Sequence, residues 1–205
     1  MHLDAQEKAL ISKEIEELEK QSSAELVAVV TKKSAKYRFQ AVLVNVSVVA
    51  ILSFILTFLS DISTMSLFQT QVLLFIFIYF LFDRYDSLVL KLLPKVYKHS
   101  LANEYAQEQF YNLGLNRTKT NQALMFFVSL DEKYVEIISD ETIKSKIPDE
   151  YWQKIVDEFI IDVKRGHLSN GYLKAIQACS EILIKNFPIQ DDDENELPND
   201  VIELI

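Results

Sequence analysis

The sequence predicts an α/β fold, a small sheet covered by helices, interrupted by a two-helix transmembrane hairpin. Three observations carry this expectation. From Tyr37 to Phe82 only Arg38 and Asp61 are charged across 46 residues. Short β-rich runs stand on both sides of that stretch, at Ala24–Thr31 before it and at Ala123–Ser129 and Tyr134–Ser139 after it. Helical apolar stripes alternate with these runs, giving the order α-β-[hairpin]-α-β-β-α-α and hence a sheet with helices packed on it. The domain is thus expected in two pieces, residues 1–36 and 99–189, around a membrane segment at 37–98. An acidic tail follows at 190–205.

Composition removes several function classes. The chain has 205 residues, 49% of them hydrophobic, and a formal net charge of −9. One cysteine excludes a disulfide framework and any structural zinc site of two or more thiolates. Three glycines leave no glycine-rich nucleotide loop, which needs glycine for close backbone approach to phosphate. A pI near 4.9 argues against nucleic acid as a partner, because such affinity comes from neutralising phosphates. The acidity itself is local. Asp191–Ile205 holds seven acids and no base, which leaves −2 for the other residues. The mean hydropathy of +0.08 likewise blends a polar domain with a strongly apolar insert.

The two predicted spans are 39–59 and 65–82. Phe39–Leu59 is 21 residues without a charge, and at about 1.5 Å per residue it covers a hydrocarbon core about 30 Å thick. Asn45, Ser47 and Ser53 are its polar residues, suited to a helix-packing face. Met65–Phe82 is shorter, with Gln69, Thr70 and Gln71 towards one end and an unbroken run at Val72–Phe82. A domain of this size cannot bury two helices that are apolar all round, which disfavours a soluble core hairpin. Lys32, Lys33, Lys36 and Arg38 precede the first span; Arg84, Lys91, Lys95 and Lys98 follow the second; the loop Ser60–Thr64 holds Asp61 and no base. The positive-inside bias therefore predicts a two-span protein of the inner (plasma) membrane with both termini cytoplasmic. The lipid bilayer is the first expected partner.

Beyond the second span, Tyr85, Leu88, Val89, Leu92, Leu93 and Val96 recur at helical spacing among Lys91, Lys95 and Lys98, with Pro94 expected to kink the segment. Two readings fit this juxtamembrane stretch: an interfacial helix on an anionic leaflet, or a continuation of the span that packs on the soluble domain.

In the soluble pieces, Asp4-Ala5-Gln6-Glu7 has the form of a capping box before a stripe of Leu10 or Ile11, Ile15 and Leu18. Leu101–Leu113 predicts a helix stopped by Gly114. Leu130–Lys133 predicts the turn between the second and third strands. Pro148 precedes a helix with the stripe Trp152, Ile155, Val156, Phe159, Ile160 and Val163, and Gly166 ends it. Ser169 is expected to cap the last helix, whose Leu173, Ile176, Cys179 and Leu183 face inward. Phe187-Pro188 closes the domain.

The order of these short motifs resembles the TPM-domain family. The residues concerned are Ala24-Glu25 opening a β run, Leu113-Gly114-Leu115, Ala123-Leu124, Val135-Glu136-Ile137 and Asp140-x-x-Ile143. Trp152, Gly171-x-x-x-Ala175-Ile176, Phe187-Pro188 and Glu196-Leu197-Pro198 continue the series. The resemblance covers most of residues 5–190 outside the hairpin, and it departs from the family where Ser23, Gln122 and Thr142 stand at positions commonly glycine. It implies a TPM-like α/β sandwich. It also implies functions that range from phosphatase activity to calcium binding and help in assembling membrane complexes.

The residues offer one candidate site. Asp140 and Glu141 end the third strand, and Glu25 arrives at the first; together they can offer oxygen ligands to Ca²⁺ or Mg²⁺. The bland alternative is that Asp140 caps the following turn and Glu141 is solvated. His2, His99 and His167 lack ligand spacing with each other or with Cys179, which falls on an apolar helix face. The tail reads as a solvated end, with Leu197-Pro198 and Val201-Ile202 as its possible docking residues. The expected function is a membrane-anchored cytoplasmic module that binds or assembles membrane proteins. The alternatives are a divalent-metal-dependent phosphatase using a carboxylate site and a transporter accessory subunit, whose spans carry no intramembrane charge.

Overall fold

A computed structural model gives the fold and describes residues 3–59, 61–190 and 195–204. The expectations for His2, for Ser60 in the inter-span loop and for Asp191–Glu194 in the tail lie outside the described residues. The chain divides into two compact units, one built from residues 1–34 and 102–205 and the other from residues 35–101.

The first unit is a mixed α/β domain. Helix α1 (Ala5–Glu19) starts in the predicted capping box. The Glu7 amide donates to Asp4 Oδ1 at 2.8 Å, and the Asp4 amide donates to Glu7 Oε2 at 2.9 Å. Ile11, Ile15 and Leu18 form its buried face. Strand β1 (Glu25–Thr31) follows, with all seven residues buried.

The second piece enters unit 1 at Ala102, within a helix that begins in unit 2, and runs on through a 3-10 turn (Leu115–Arg117) to strand β2 (Ala123–Ser129) and strand β3 (Tyr134–Ser139). β2 lies parallel to β1 in register from Glu25↔Ala123 to Thr31↔Ser129. β3 returns antiparallel to β2, through the turn at Leu130–Lys133, where Lys133 takes a positive φ of 53°.

Side chains alternate across this sheet, and both faces are covered, so β1 and β2 read as unbroken apolar runs. Leu26, Ala28, Val30, Leu124, Phe126 and Val128 point to one face, in a core with Trp152, Phe159, Tyr172 and Ile176. Val27, Val29, Met125 and Phe127 point to the other, in a core with Ala106, Phe110 and Leu115.

Among the described residues, three helices follow β3. They are α6 (Glu141–Lys146), α7 (Asp149–Lys164), which begins directly after Pro148, and α8 (Leu168–Asn186). Gly166, at φ 87°, closes α7 as expected. Ser169 does not cap α8. The helix already begins at Leu168, with His167 in the cap position and no side-chain cap, so Ser169 falls inside the first turn.

The described part of the tail is not a purely solvated end. Ile202–Leu204 forms strand β4, parallel to β1 from Val29↔Ile202 to Thr31↔Leu204, giving the sheet order β3-β2-β1-β4. Leu197, Ile202 and Leu204 join the second core. Burying these apolar residues and the open edge of β1 outweighs the local acidity of the segment.

The second unit holds α2 (Arg38–Leu59) and α3 (Thr64–Arg84), matching the two predicted spans. Both are long and apolar enough to cross a membrane, and 6% and 11% of their apolar stretches are buried. Asn45 is 1% exposed and donates from Nδ2 to the Phe75 carbonyl at 3.1 Å, joining the two helices. Ser53 is buried, whereas Ser47 is exposed and bonds back to Leu43 O, so it lies off the packing face. The chain then forms α4 (Asp86–Leu92), breaks at Leu93-Pro94, and resumes as α5 (Lys95–Asn112). The predicted helix at 101–113 therefore begins six residues earlier, at Lys95, because proline is tolerated just before a helix. Gly114, at φ 77°, stops it.

The first core turns on Phe126, whose ring meets Phe159 edge-on at 5.0 Å and Tyr172 at 5.3 Å. Phe126→Ala is expected to cost about 3–5 kcal/mol through the cavity left among these rings, measured by denaturant unfolding of the detergent-solubilised chain.

Candidate functional site: carboxylates at the start of the parallel strands

Two of the three predicted ligands lie at the same end of the sheet. Glu25 pairs in register with Ala123, and its amide donates to Gln122 O at 3.0 Å. Asp140 lies one residue past β3, and its amide donates to Ala123 O at 2.9 Å. Glu25 and Asp140 thus flank Ala123 in a single row across the sheet, 6% and 9% exposed respectively. Glu141 does not join them; it is exposed in the first turn of α6, where the helix N-terminus favours a carboxylate.

Asp140 occupies the cap position of α6 without capping it. Its side chain makes no bond to the helix start, and Oδ2 accepts instead from the Ala123 amide at 3.3 Å. Burial raises its pKa, opposed by the Ala123 amide and by Lys144.

The structure adds acids that the sequence did not single out. Glu19, at the end of α1, has its pKa raised from 4.5 to about 8, first by burial and then by the nearby charge of Glu25. Asn195 Nδ2 donates to Glu19 Oε2 at 2.9 Å. The Glu196 amide donates to Glu25 Oε1 at 2.9 Å, and the Glu196 carboxylate accepts from the Lys119 amide at 2.9 Å. The segment leading to β4 is therefore stitched to both Glu19 and Glu25. The tail's Glu-Leu-Pro motif was visible in the sequence, but nothing local linked it to residues more than 170 positions away.

Two further acids, one buried and one half-buried, are held elsewhere in the same unit. Glu132 belongs to the predicted turn, yet it is 2% exposed. It accepts from the Ser34 amide at 3.1 Å and from the Ser129 hydroxyl. Glu136 on β3 accepts from Tyr134 Oη at 2.8 Å and from Asn103 Nδ2 at 2.9 Å, and burial raises its pKa.

Both carboxylates of the row already accept backbone amides, so they are oriented and partly neutralised by hydrogen bonds. Among the described residues, no group of three or more His, Cys, Asp or Glu is placed to hold a metal ion. Cys179 is fully buried, and burial pushes its thiol pKa up.

An α/β sandwich is the architecture that the TPM-like motifs implied, and comparison with known proteins agrees. Residues 88–182 match the family model described as the TPM domain, so the chain is similar to that family from α4 through most of α8. The fold is also that of the BA42 protein from the psychrophilic bacterium Bizionia argentinensis, solved by NMR. That structure is 21% identical, with a TM-score of 0.59, over 99% of this chain and 96% of its own. No curated protein sequence matches the chain.

The raised acid gives a pH prediction. Between pH 4.5 and about 8 the folded state holds a proton on Glu19 that the unfolded state releases. Stability therefore falls as pH rises through that window. Glu19→Gln is expected to flatten the fall, as read by urea unfolding at pH 5 to 9; an unchanged slope would show that Glu19 is not the group responsible.

Proposed function

We propose that the chain is a membrane-anchored TPM-type domain that binds or assembles membrane proteins, with both termini in the cytoplasm. The observation that carries this reading is the pair of outward-facing apolar helices inserted inside the domain. Phe39 and Phe54 are 69% and 66% exposed on α2, and Phe77 and Phe80 are 64% and 65% exposed on α3. Side chains of this kind are stable against acyl chains rather than water. Basic residues flank the pair on both outer sides, which supports the orientation. Because a hairpin returns the chain to the side it left, the domain keeps both of its pieces in one compartment.

The test is cross-linking and purification of the intact chain from native membranes. A parallel variant carries an unrelated two-span anchor in place of residues 37–84. The module reading expects the same cross-linked membrane proteins with both chains. Loss of the partners with the foreign anchor favours the transporter-subunit reading. Absence of any cross-linked membrane protein with the intact chain overturns the proposal.

A second reading, a divalent-cation site that serves phosphate chemistry, is favoured by the row formed by Glu25 and Asp140. It expects the melting temperature to rise with added Ca²⁺ or Mg²⁺ and the rise to vanish in Asp140→Asn. An identical melting temperature with and without the cations would remove it.

A further inference from the structure

We infer that the elbow between α4 and α5 is a docking surface for anionic phospholipid headgroups, which seats it in the leaflet interface. This deepens the membrane reading above and rests on it. The elbow packs on the base of the hairpin. Val89 and Leu90 of α4 are buried with Tyr37, Ile78 and Phe82. The other side of the elbow is apolar as well, yet it faces outward. Leu92, just before the Leu93-Pro94 break, is 58% exposed, and Val96, just after it, is 83% exposed.

The elbow is held in shape rather than left as a loose joint. Lys98 Nζ spans the break to the Leu90 carbonyl at 2.7 Å, and Tyr97 Oη accepts from Gln40 Nε2 at 2.7 Å, tying the start of α5 to α2. Leu92 and Val96 are therefore presented on a fixed platform.

Charge selects the occupant. Outside the spans, residues 35–38 and 83–99 carry six bases and two aspartates, in a chain whose net charge is −9. Lys91 and Lys95 sit beside the two exposed apolar residues and are themselves exposed. Projecting apolar side chains ringed by lysines, at the basic end of two apolar helices, match an acyl boundary covered by anionic headgroups. A protein groove would have to supply both features from an unrelated surface. One side of α4 packs on the base of the hairpin, and the opposite side is free for lipid.

The experiment places a nitroxide at Val96→Cys in the full chain, where the native thiol of Cys179 is fully buried and does not compete. The labelled chain is reconstituted into vesicles of phosphatidylcholine with or without phosphatidylglycerol, and accessibility to oxygen is compared with accessibility to an aqueous nickel complex. The inference expects the label to lose nickel accessibility in the phosphatidylglycerol vesicles and to regain it in the Lys91→Glu/Lys95→Glu variant. A label that stays in water in both lipids, on a chain that floats with the vesicles, overturns this inference alone. A label that enters the apolar phase equally in both lipids, unmoved by the charge reversal, overturns the anionic selection. A chain that floats with neither vesicle overturns the anchoring and this inference together.

Discussion

The parallel pairing of β1 with β2 is the constraint on which the rest of the structure depends. Seven consecutive residues of each strand lie in register, yet Glu25 and its partner Ala123 are 98 positions apart. Parallel neighbours require a long crossover connection. Here that connection carries α2 to α5 before the chain returns to the sheet. The hairpin occupies a place that the topology must fill with something long. Its insertion therefore costs the domain no strand pairing. Once β1 sits between β2 and β4, both of its faces need cover, which explains why α1, α7 and α8 supply one apolar core and residues 106–115 the other.

The same centrality organises the polar groups. At the start of the parallel strands, Glu25 and Asp140 flank Ala123, and Glu19 and the residues before β4 close around Glu25. At the far end, Glu132 folds back to take hydrogen bonds from Ser34 and Ser129. A buried carboxylate is tolerable when its lone pairs are filled, as at Glu132. It becomes a proton-holding group when burial strips its water and a second carboxylate is near, as at Glu19. The second situation couples the end of α1 and the C-terminal segment to pH.

Much of this fold was legible in the sequence because the signals are local. The capping box at Asp4, the proline before α7, the glycine after α5 and the kink at Pro94 each act within a few residues. The three longer strands announced themselves as β-branched or aromatic runs. The hairpin was legible for a cruder reason, since 46 residues with two charges fit few other environments. β4 was not legible. Three residues in an acid-rich stretch carry too little periodicity, and they become a strand because the edge of β1 offers unpaired backbone groups. The candidate site was half legible. Glu25 and Asp140 were singled out from strand ends, but the approach of Asn195 to Glu19 and of Glu196 to Glu25 is tertiary contact across more than 170 residues. Glu141 shows the opposite error, where adjacency in sequence sends two side chains to different surroundings. Glu132 looked like an ordinary turn acid, because burial of a turn residue has no local signature.

Amide hydrogen exchange of the full chain in lipid discs tests the central claim most directly. If β1 and β2 form one cooperative pairing from two distant pieces, the amides of Leu26–Val30 and Leu124–Val128 will open with the same free energy, equal to that of global unfolding of the domain. Rapid exchange of the β1 amides while those of β2 stay protected would contradict the account. It would mean that residues 1–34 do not belong to the sheet.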